Sequence, residues 1–336
     1  MPTALVTGSA GFIGFHIANQ LLQEGWRVIG IDSLSDYYDL SLKNAREALL
    51  LEHEGYRSVH EKIEAPNILN TLFDEEKPDY VVHLAAQPGV RGSIDNPRPY
   101  LQSNINGTFE LLEAARHCPP KHMLLASTSS IFGANEKMPY AETDKADQQM
   151  SFYAATKKAT ESIAHSYSHL YGLPITMFRF FTVYGPWGRP DMAMFKFTKA
   201  TLSGDPIDVY NNGNMKRDFT FIDDLNKAIR LLMDVIPLQT GSAKESKYDS
   251  LSSVAPFRIV NIGNSQPVDL IDFIKAVELA TGKTAKLNLL PMQPGDVVAT
   301  WADTTLLKQL TGFSASTSVV DGVKKFVDWY RSYYGL

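Results

Sequence analysis

Up to about residue 181 the chain alternates between short, nearly continuous apolar runs and longer stretches with apolar residues three and four apart. The apolar runs at 4–7, 27–32, 59–63, 80–85, 123–127 and 175–181 predict strands covered on both faces. The intervening periodic stretches, notably 13–23, 100–116 and 153–170, predict helices. Regular alternation of this kind predicts an α/β fold, a Rossmann-type doubly wound parallel sheet. Beyond residue 183 the rhythm breaks. Helix patterns at 192–202, 223–233, 268–281 and 319–333 mix with short strand patterns at 207–210 and 219–222. The polar, serine-rich stretch 237–256 has no period and reads as an exposed, mobile loop. The expected organisation is a cofactor domain over 1–182 and a smaller α/β substrate lobe over 183–336, interleaved with the first.

Composition narrows the function classes. A length of 336 residues suits two lobes. A net charge of −5 leaves no cationic excess for general nucleic-acid binding. Cys118 is the single cysteine, so no internal disulfide forms. No apolar run reaches the ~20 residues of a membrane span. The start, Met1-Pro2-Thr3, passes directly into a strand pattern without the features of a signal peptide. The expectation is a cytoplasmic protein.

Thr7-Gly8-Ser9-Ala10-Gly11-Phe12-Ile13-Gly14 follows the first strand and opens the first helix. Glycines there allow a tight turn and close backbone approach, and the helix N-terminus favours a diphosphate. Asp32 ends the second strand, where a carboxylate accepts bonds from an adenosine ribose. It would repel a 2′-phosphate, and no Arg follows at Ser33 or Leu34, so NAD is favoured over NADP. Leu84, Ala85 and Ala86, after the fourth strand, let a cofactor lie against backbone.

Far downstream, Tyr153-Ala-Ala-Thr-Lys157 places a phenol and an ammonium one helical turn apart on one face. A tyrosine hydroxyl has an ordinary pKa near ~10 and is a poor base unless positive charge favours its phenolate. Lys157 and an oxidised nicotinamide could both supply that charge. The hydroxyl cluster Ser127-Thr128-Ser129-Ser130 precedes the pair. Together these residues suit removal of a proton from an alcohol while a nicotinamide accepts its hydride.

Those motifs, with His83-Leu84-Ala85-Ala86, Asn104-Ile105-Asn106-Gly107-Thr108 and Arg217-Asp218-Phe219, resemble the extended short-chain dehydrogenase/reductases over essentially the whole chain. The nearest likeness is to UDP-glucuronate 4-epimerases. It rests on Asp36-Tyr37-Tyr38-Asp39, Gln87-Pro88-Gly89-Val90-Arg91, Tyr184-Gly185-Pro186-Trp187-Gly188-Arg189-Pro190-Asp191 and Gln293-Pro294-Gly295-Asp296. The resemblance implies C4 epimerisation of a UDP-sugar with tightly bound, recycled NAD. Tyr153, assisted by Thr128, would remove the O4 proton as NAD takes the C4 hydride. The 4-keto sugar would turn in the pocket and be reduced on its other face. Related dehydratases carry Asp and Glu after the threonine, and decarboxylases Ser and Glu; this chain has Ser129 and Ser130.

Hydroxyls of Thr128, Ser129, Ser130 and Thr182 are candidates to hold a sugar carboxylate; the serines otherwise bond local backbone. Arg91, Arg189 and Arg217 are candidates for the diphosphate, since guanidinium forks match phosphate oxygens; surface ion pairing is the other reading. Phe195 and Lys196 either line the nucleotide cavity or, for Phe195, belong to a helix core. His165 and His169 sit one turn apart without a third ligand, so no metal site is expected. The pattern departs from relatives at 61–64, where no adenine-contacting Asp stands, at Gln293, where hexose epimerases commonly place Arg, and at Phe132, more usually Tyr. A UDP-glucose or UDP-N-acetylglucosamine 4-epimerase is the alternative reading, and a non-catalytic NAD-binding sensor a more distant one. The apolar surface of helices 100–116 and 153–170, together with the resemblance, suggests a homodimer.

Overall fold

Each strand of the main sheet sends neighbouring side chains to opposite faces, and both faces are apolar. Ala4 and Val6 enter one hydrophobic core while Leu5 enters another; Leu124 and Ala126 separate likewise from Met123 and Leu125. The computed structural model describes residues 1–238, 248–293 and 297–336. Six strands come early in the chain: β1 (Thr3–Thr7), β2 (Arg27–Ile31), β3 (Tyr56–Val59), β4 (Tyr80–His83), β5 (His122–Thr128) and β6 (Ile175–Phe180). The chain then forms β7 (Thr182–Tyr184), β8 (Pro206–Val209) and β9 (Lys216–Phe221) of the second lobe before β10 (Phe257–Ile262) returns to the main sheet. The order across that sheet is β10-β6-β5-β4-β1-β2-β3, with every pair parallel. The order reverses between β1 and β4, and this opens a crevice at the strand ends.

Helices Phe12–Gln23, Leu40–Leu51 and Ile222–Met233 cover one face. Helices Ile68–Glu76, Gly107–His117 and Phe152–Tyr171 cover the other. The second lobe is completed by β11 (Pro267–Asp269), β12 (Lys286–Leu289) and β13 (Ala299–Thr300), and by helices Ala193–Ser203, Leu270–Thr281 and Val319–Tyr334.

Four expectations need correction. The third strand is Tyr56–Val59, not 59–63; Ile63 is buried from a turn, against Gly107, without being in the ladder. The fourth strand stops at His83: the Leu84 amide still reaches the Thr7 carbonyl, but it and the Ala85 amide also donate to the Thr7 hydroxyl, both at 3.1 Å. The helix expected over 100–116 is broken by a π-helical turn, Leu101–Asn106. The wider turn lets Asn104 accept from the Gln87 amide at 2.7 Å and donate to Thr156 Oγ1 at 3.0 Å. Such turns cluster at functional sites. Finally, β10 lies just beyond a stretch read only as loop. Within that stretch 239–247 lies outside the described residues, and Asp249 is pinned by Arg258 at 3.0 and 3.2 Å.

The helix carrying Tyr153 and Lys157 is clamped to the sheet by charge. Glu161, one turn beyond Lys157, takes two bonds from Arg179 of β6 (2.9 and 3.0 Å) and one from Ser127 of β5 (2.7 Å). Burial pushes the Glu161 carboxyl up, but the Arg179 charge and the bonds from Arg179 and Ser127 outweigh it and hold it below the usual range. A carboxyl depressed in this way stabilises the fold above its unfolded pKa, and the stabilisation is lost as pH falls through the folded value. Arg179→Met should therefore cost about 3–5 kcal/mol at pH 7, because it leaves a buried carboxylate unpaired. Urea titration at pH 7 and pH 4 should show a smaller gap between variant and parent in acid; an equal gap would contradict this account.

Candidate active site

The crevice floor is made by backbone lying on backbone. Gly8, at φ +73°, presses on the next crossing, where a Cβ would stand 2.8 Å from the Ala85 nitrogen. A Cβ on Gly14 would lie 2.0 Å from the Gly8 carbonyl oxygen. Any larger residue at either position would push the turn into the space that a diphosphate occupies. Asp32 borders the turn, accepting from the Ala10 amide at 3.1 Å and the Leu34 amide at 2.9 Å. These bonds leave carboxylate lone pairs for ribose hydroxyls. Phe12 and Ile13 begin the helix behind the turn. The residues present therefore fit a dinucleotide.

A buried relay fixes the other wall. Thr108 donates its only hydroxyl proton to the Asn104 carbonyl at 2.6 Å. It must then accept from His83 Nε2 at 3.1 Å, which leaves Nδ1 to accept from Thr7 Oγ1 at 2.8 Å. Burial, then the nearby Lys157 charge, lowers the His83 pKa to about 3. The ring is thus a neutral strut that joins β1, β4 and the π-helical turn.

Tyr153 sits in the first turn of its helix, whose cap is Ser151 Oγ accepting from the Ala154 amide at 3.1 Å. The helix dipole there favours negative charge. Burial raises the Tyr153 pKa, while a hydrogen bond with Thr128 and the charge of Arg189 act in the opposite direction. Thr128 closes β5 and accepts from the Ser130 amide at 3.2 Å. The Tyr100 ring meets Tyr153 edge-on at 6.1 Å. Lys157 is 3% exposed. Its burial lowers the pKa to about 8 against the opposing pull of Glu161. The site thus holds a phenol short of charge compensation and a cation ready to provide it.

Thr128, Ser129 and Ser130 form one short turn beside Tyr153, and Thr182 begins β7 where the chain leaves β6. Leu84, Ala85 and Ala86 follow β4 at the crevice. Arg189 is held by Asp191 at 3.0 and 2.5 Å, with its charge within reach of Tyr153. Arg91 lies over the Tyr210 ring at 4.8 Å. Arg217 bonds the Val298 carbonyl at 3.2 Å. Its neighbour Asp218 is buried and accepts from the amides of Asn264, Ser265 and Ala302. Phe195 is packed among Phe326, Trp329, Tyr330 and Tyr334, on the core side of its helix. Lys196 is exposed. His165 and His169 bond Ser252 and the Val254 carbonyl. Pro294, Gly295 and Asp296 lie outside the described residues. Among those described, no cluster of three or more His, Cys, Asp or Glu side chains could hold a metal.

Sequence reasoning missed Glu161, Arg179, Thr7, Thr108 and Asn104 as parts of the site. Glu161 gave a local signal, four residues after Lys157 on the same helix face, and Thr7, Asn104 and Thr108 stood inside the motifs singled out above without a role assigned to them.

The family model described as the NAD dependent epimerase/dehydratase family matches residues 4–239. The chain belongs to that family. A relative from Rhizobium meliloti described as a probable UDP-glucuronate 4-epimerase is 52% identical, over 98% of this chain and 97% of its own. The crystal structure of UDP-glucuronic acid 4-epimerase from Bacillus cereus, in complex with UDP-glucuronic acid and NAD, is 32% identical. It has a TM-score of 0.88 and covers 99% of this family member and 100% of its own chain. The UDP-glucose 4-epimerase of Thermotoga maritima, solved with UDP-glucose, is 27% identical, with a TM-score of 0.85 over 99% of both chains.

If Tyr153 is the base, it must lose its proton while Lys157 keeps its own to favour that loss. Activity should fall on the alkaline side as pH rises through about 8, the Lys157 value. Tyr153→Phe should lose on the order of 10²–10⁴ in kcat. Lys157→Met should be slower by on the order of 10² and lack the alkaline limb of the pH–kcat/KM profile. If the limb survives in Lys157→Met, the assignment is wrong.

Proposed function

We propose that the chain catalyses C4 epimerisation of UDP-glucuronate to UDP-galacturonate with tightly held NAD. One observation carries this reading. The 128–130 turn beside Tyr153 contains hydroxyls and no carboxylate, so the acid and base needed for elimination are absent from it. NAD, when bound on the glycine turn, supplies the acceptor and donor of the C4 hydride. Everything else is work for the chain. Tyr153 takes the proton from the C4 hydroxyl, with Thr128 bonding the phenol and Lys157 opposing the build-up of negative charge. After the sugar has turned, Tyr153 returns the proton on the opposite face.

Arg91, Arg217 and Lys196 are the proposed diphosphate and nucleotide contacts, whereas Phe195 belongs to the helix core. Arg189 stands on the Tyr153 side, where a substrate anion would meet it. A 4-keto glucuronate is a β-keto acid and loses CO₂ when its carboxylate bond lies perpendicular to the carbonyl plane. Hydroxyls of Thr128, Ser129, Ser130 and Thr182 would hold the carboxylate out of that alignment. Identity supports glucuronate: the 52% relative is described as acting on it. The near-equal TM-scores of 0.88 and 0.85 for the glucuronate and glucose enzymes mean that the backbone does not choose between them.

Purified protein with no added NAD should convert UDP-glucuronate to UDP-galacturonate. Its kcat/KM should exceed that for UDP-glucose or UDP-N-acetylglucosamine by about tenfold or more, because a site built to bond a carboxylate loses those bonds with a neutral sugar. A UDP-pentose as main product, or preference for a neutral sugar, would overturn this substrate assignment.

We also propose a homodimer through the helices that flank the site. Leu101, Phe109, Phe152, Leu170 and Tyr171 expose 42, 44, 40, 64 and 42% of their surface, more apolar area than isolated exposed residues account for. Sedimentation should give twice the 37.4 kDa chain mass, and Phe109→Glu should shift it to the monomer; a monomeric parent would refute the dimer.

A further inference from the structure

Arg46, on helix Leu40–Leu51, is fully buried, and among the described residues no carboxylate pairs with it. Its fork is satisfied instead by backbone and one phenol. Nη1 donates to the Ala10 carbonyl of the glycine turn at 3.0 Å and to the Tyr38 hydroxyl at 2.9 Å. Nε and Nη2 both donate to the Trp187 carbonyl, at 3.1 and 2.6 Å, and Nη2 reaches the Gly188 carbonyl at 3.3 Å. The preceding carbonyl, Pro186, is met by His16 Nε2 at 3.0 Å. Three successive carbonyls of the 185–191 loop are thus held from the cofactor half.

The loop needs such holding. Trp187 has φ +61°, left-handed backbone that a bulky side chain avoids unless its surroundings impose it. A buried guanidinium without a counter-charge is itself costly. Two unfavourable features therefore meet at one contact. The residue that follows the contact is Arg189, which lies beside the Tyr37 ring, next to the Tyr38 that Arg46 bonds.

We propose that Arg46 is a positioning residue that fastens the 185–191 loop to the dinucleotide turn, setting Arg189 at the sugar pocket and coupling the cofactor and substrate sites. The inference rests on the reading of Arg189 as a substrate contact. Lysine can keep the charge at position 46 but cannot place planar donors on Ala10, Trp187 and Gly188 together.

The test compares the parent with Arg46→Lys, Arg189→Lys and the double variant, with His16→Phe as a milder loss of tether should Arg46→Lys fail to fold. Two readouts are taken: steady-state kinetics on UDP-glucuronate, and hydrogen exchange of the holoprotein. Arg46→Lys should raise KM by about tenfold with kcat within about threefold, and adding Arg189→Lys should cost little more. Amides of residues 185–192 should exchange about tenfold faster, while those of 153–170 stay as in the parent. His16→Phe should move both readouts the same way by less. Parent-like KM and exchange in Arg46→Lys, or losses that multiply in the double variant, would overturn the proposal. A parent inactive on every UDP-sugar would remove the proposed function, yet exchange would still decide whether Arg46 holds the loop.

Discussion

A cation shut away from water sets the terms for the rest of this site. Lys157 is nearly enclosed, and an ammonium so placed tends to discharge. It remains usable because Glu161 lies one turn further along the helix, itself balanced by Arg179 on the neighbouring strand. The line Lys157, Glu161, Arg179 is an alternation of charge across one helix and one strand. Each member would be unfavourable alone. Ser127 adds a bond to Glu161 from β5, so the adjacent residue, Thr128, is fixed relative to Tyr153 by the same network.

The same economy governs the cofactor wall. Thr7, His83 and Thr108 exchange protons in only one consistent direction, because Thr108 is committed to Asn104 and Thr7 accepts from two amides. No protonation of His83 is compatible with that arrangement. Neutral struts stand on one side of Tyr153 and a balanced charge line on the other. The backbone that carries them is shared by relatives described as acting on different sugars. Selectivity must therefore come from side chains rather than from the path of the backbone.

Much of this was legible in the chain because its signals are local. β1, β2, β5 and β6 are buried on both faces and read as apolar runs; the glycine turn and the Tyr153/Lys157 pair declare themselves by spacing. What was illegible depends on partners remote in sequence. Arg179 meets Glu161 across 18 residues, and Arg46 meets Trp187 across 141. No period links such pairs. The third strand was misplaced because Val59, half-buried in a ladder, and Ile63, buried from a turn, both pack against the same core. The π-helical turn escaped because it preserves an apolar helical pattern while inserting Asn104 for a polar task.

The return of β10 to the edge of the main sheet bears on how the molecule is made. Its partner β6 ends at Phe180, yet the strand that covers that edge begins at Phe257, and the helix Ile222–Met233 that roofs one face also arrives late. A growing polypeptide that has emerged only as far as residue 182 has its nucleotide turn but an open sheet margin and a bare apolar flank. The cofactor half cannot be finished during synthesis until most of the second lobe has left the ribosome, so the two halves mature as one unit.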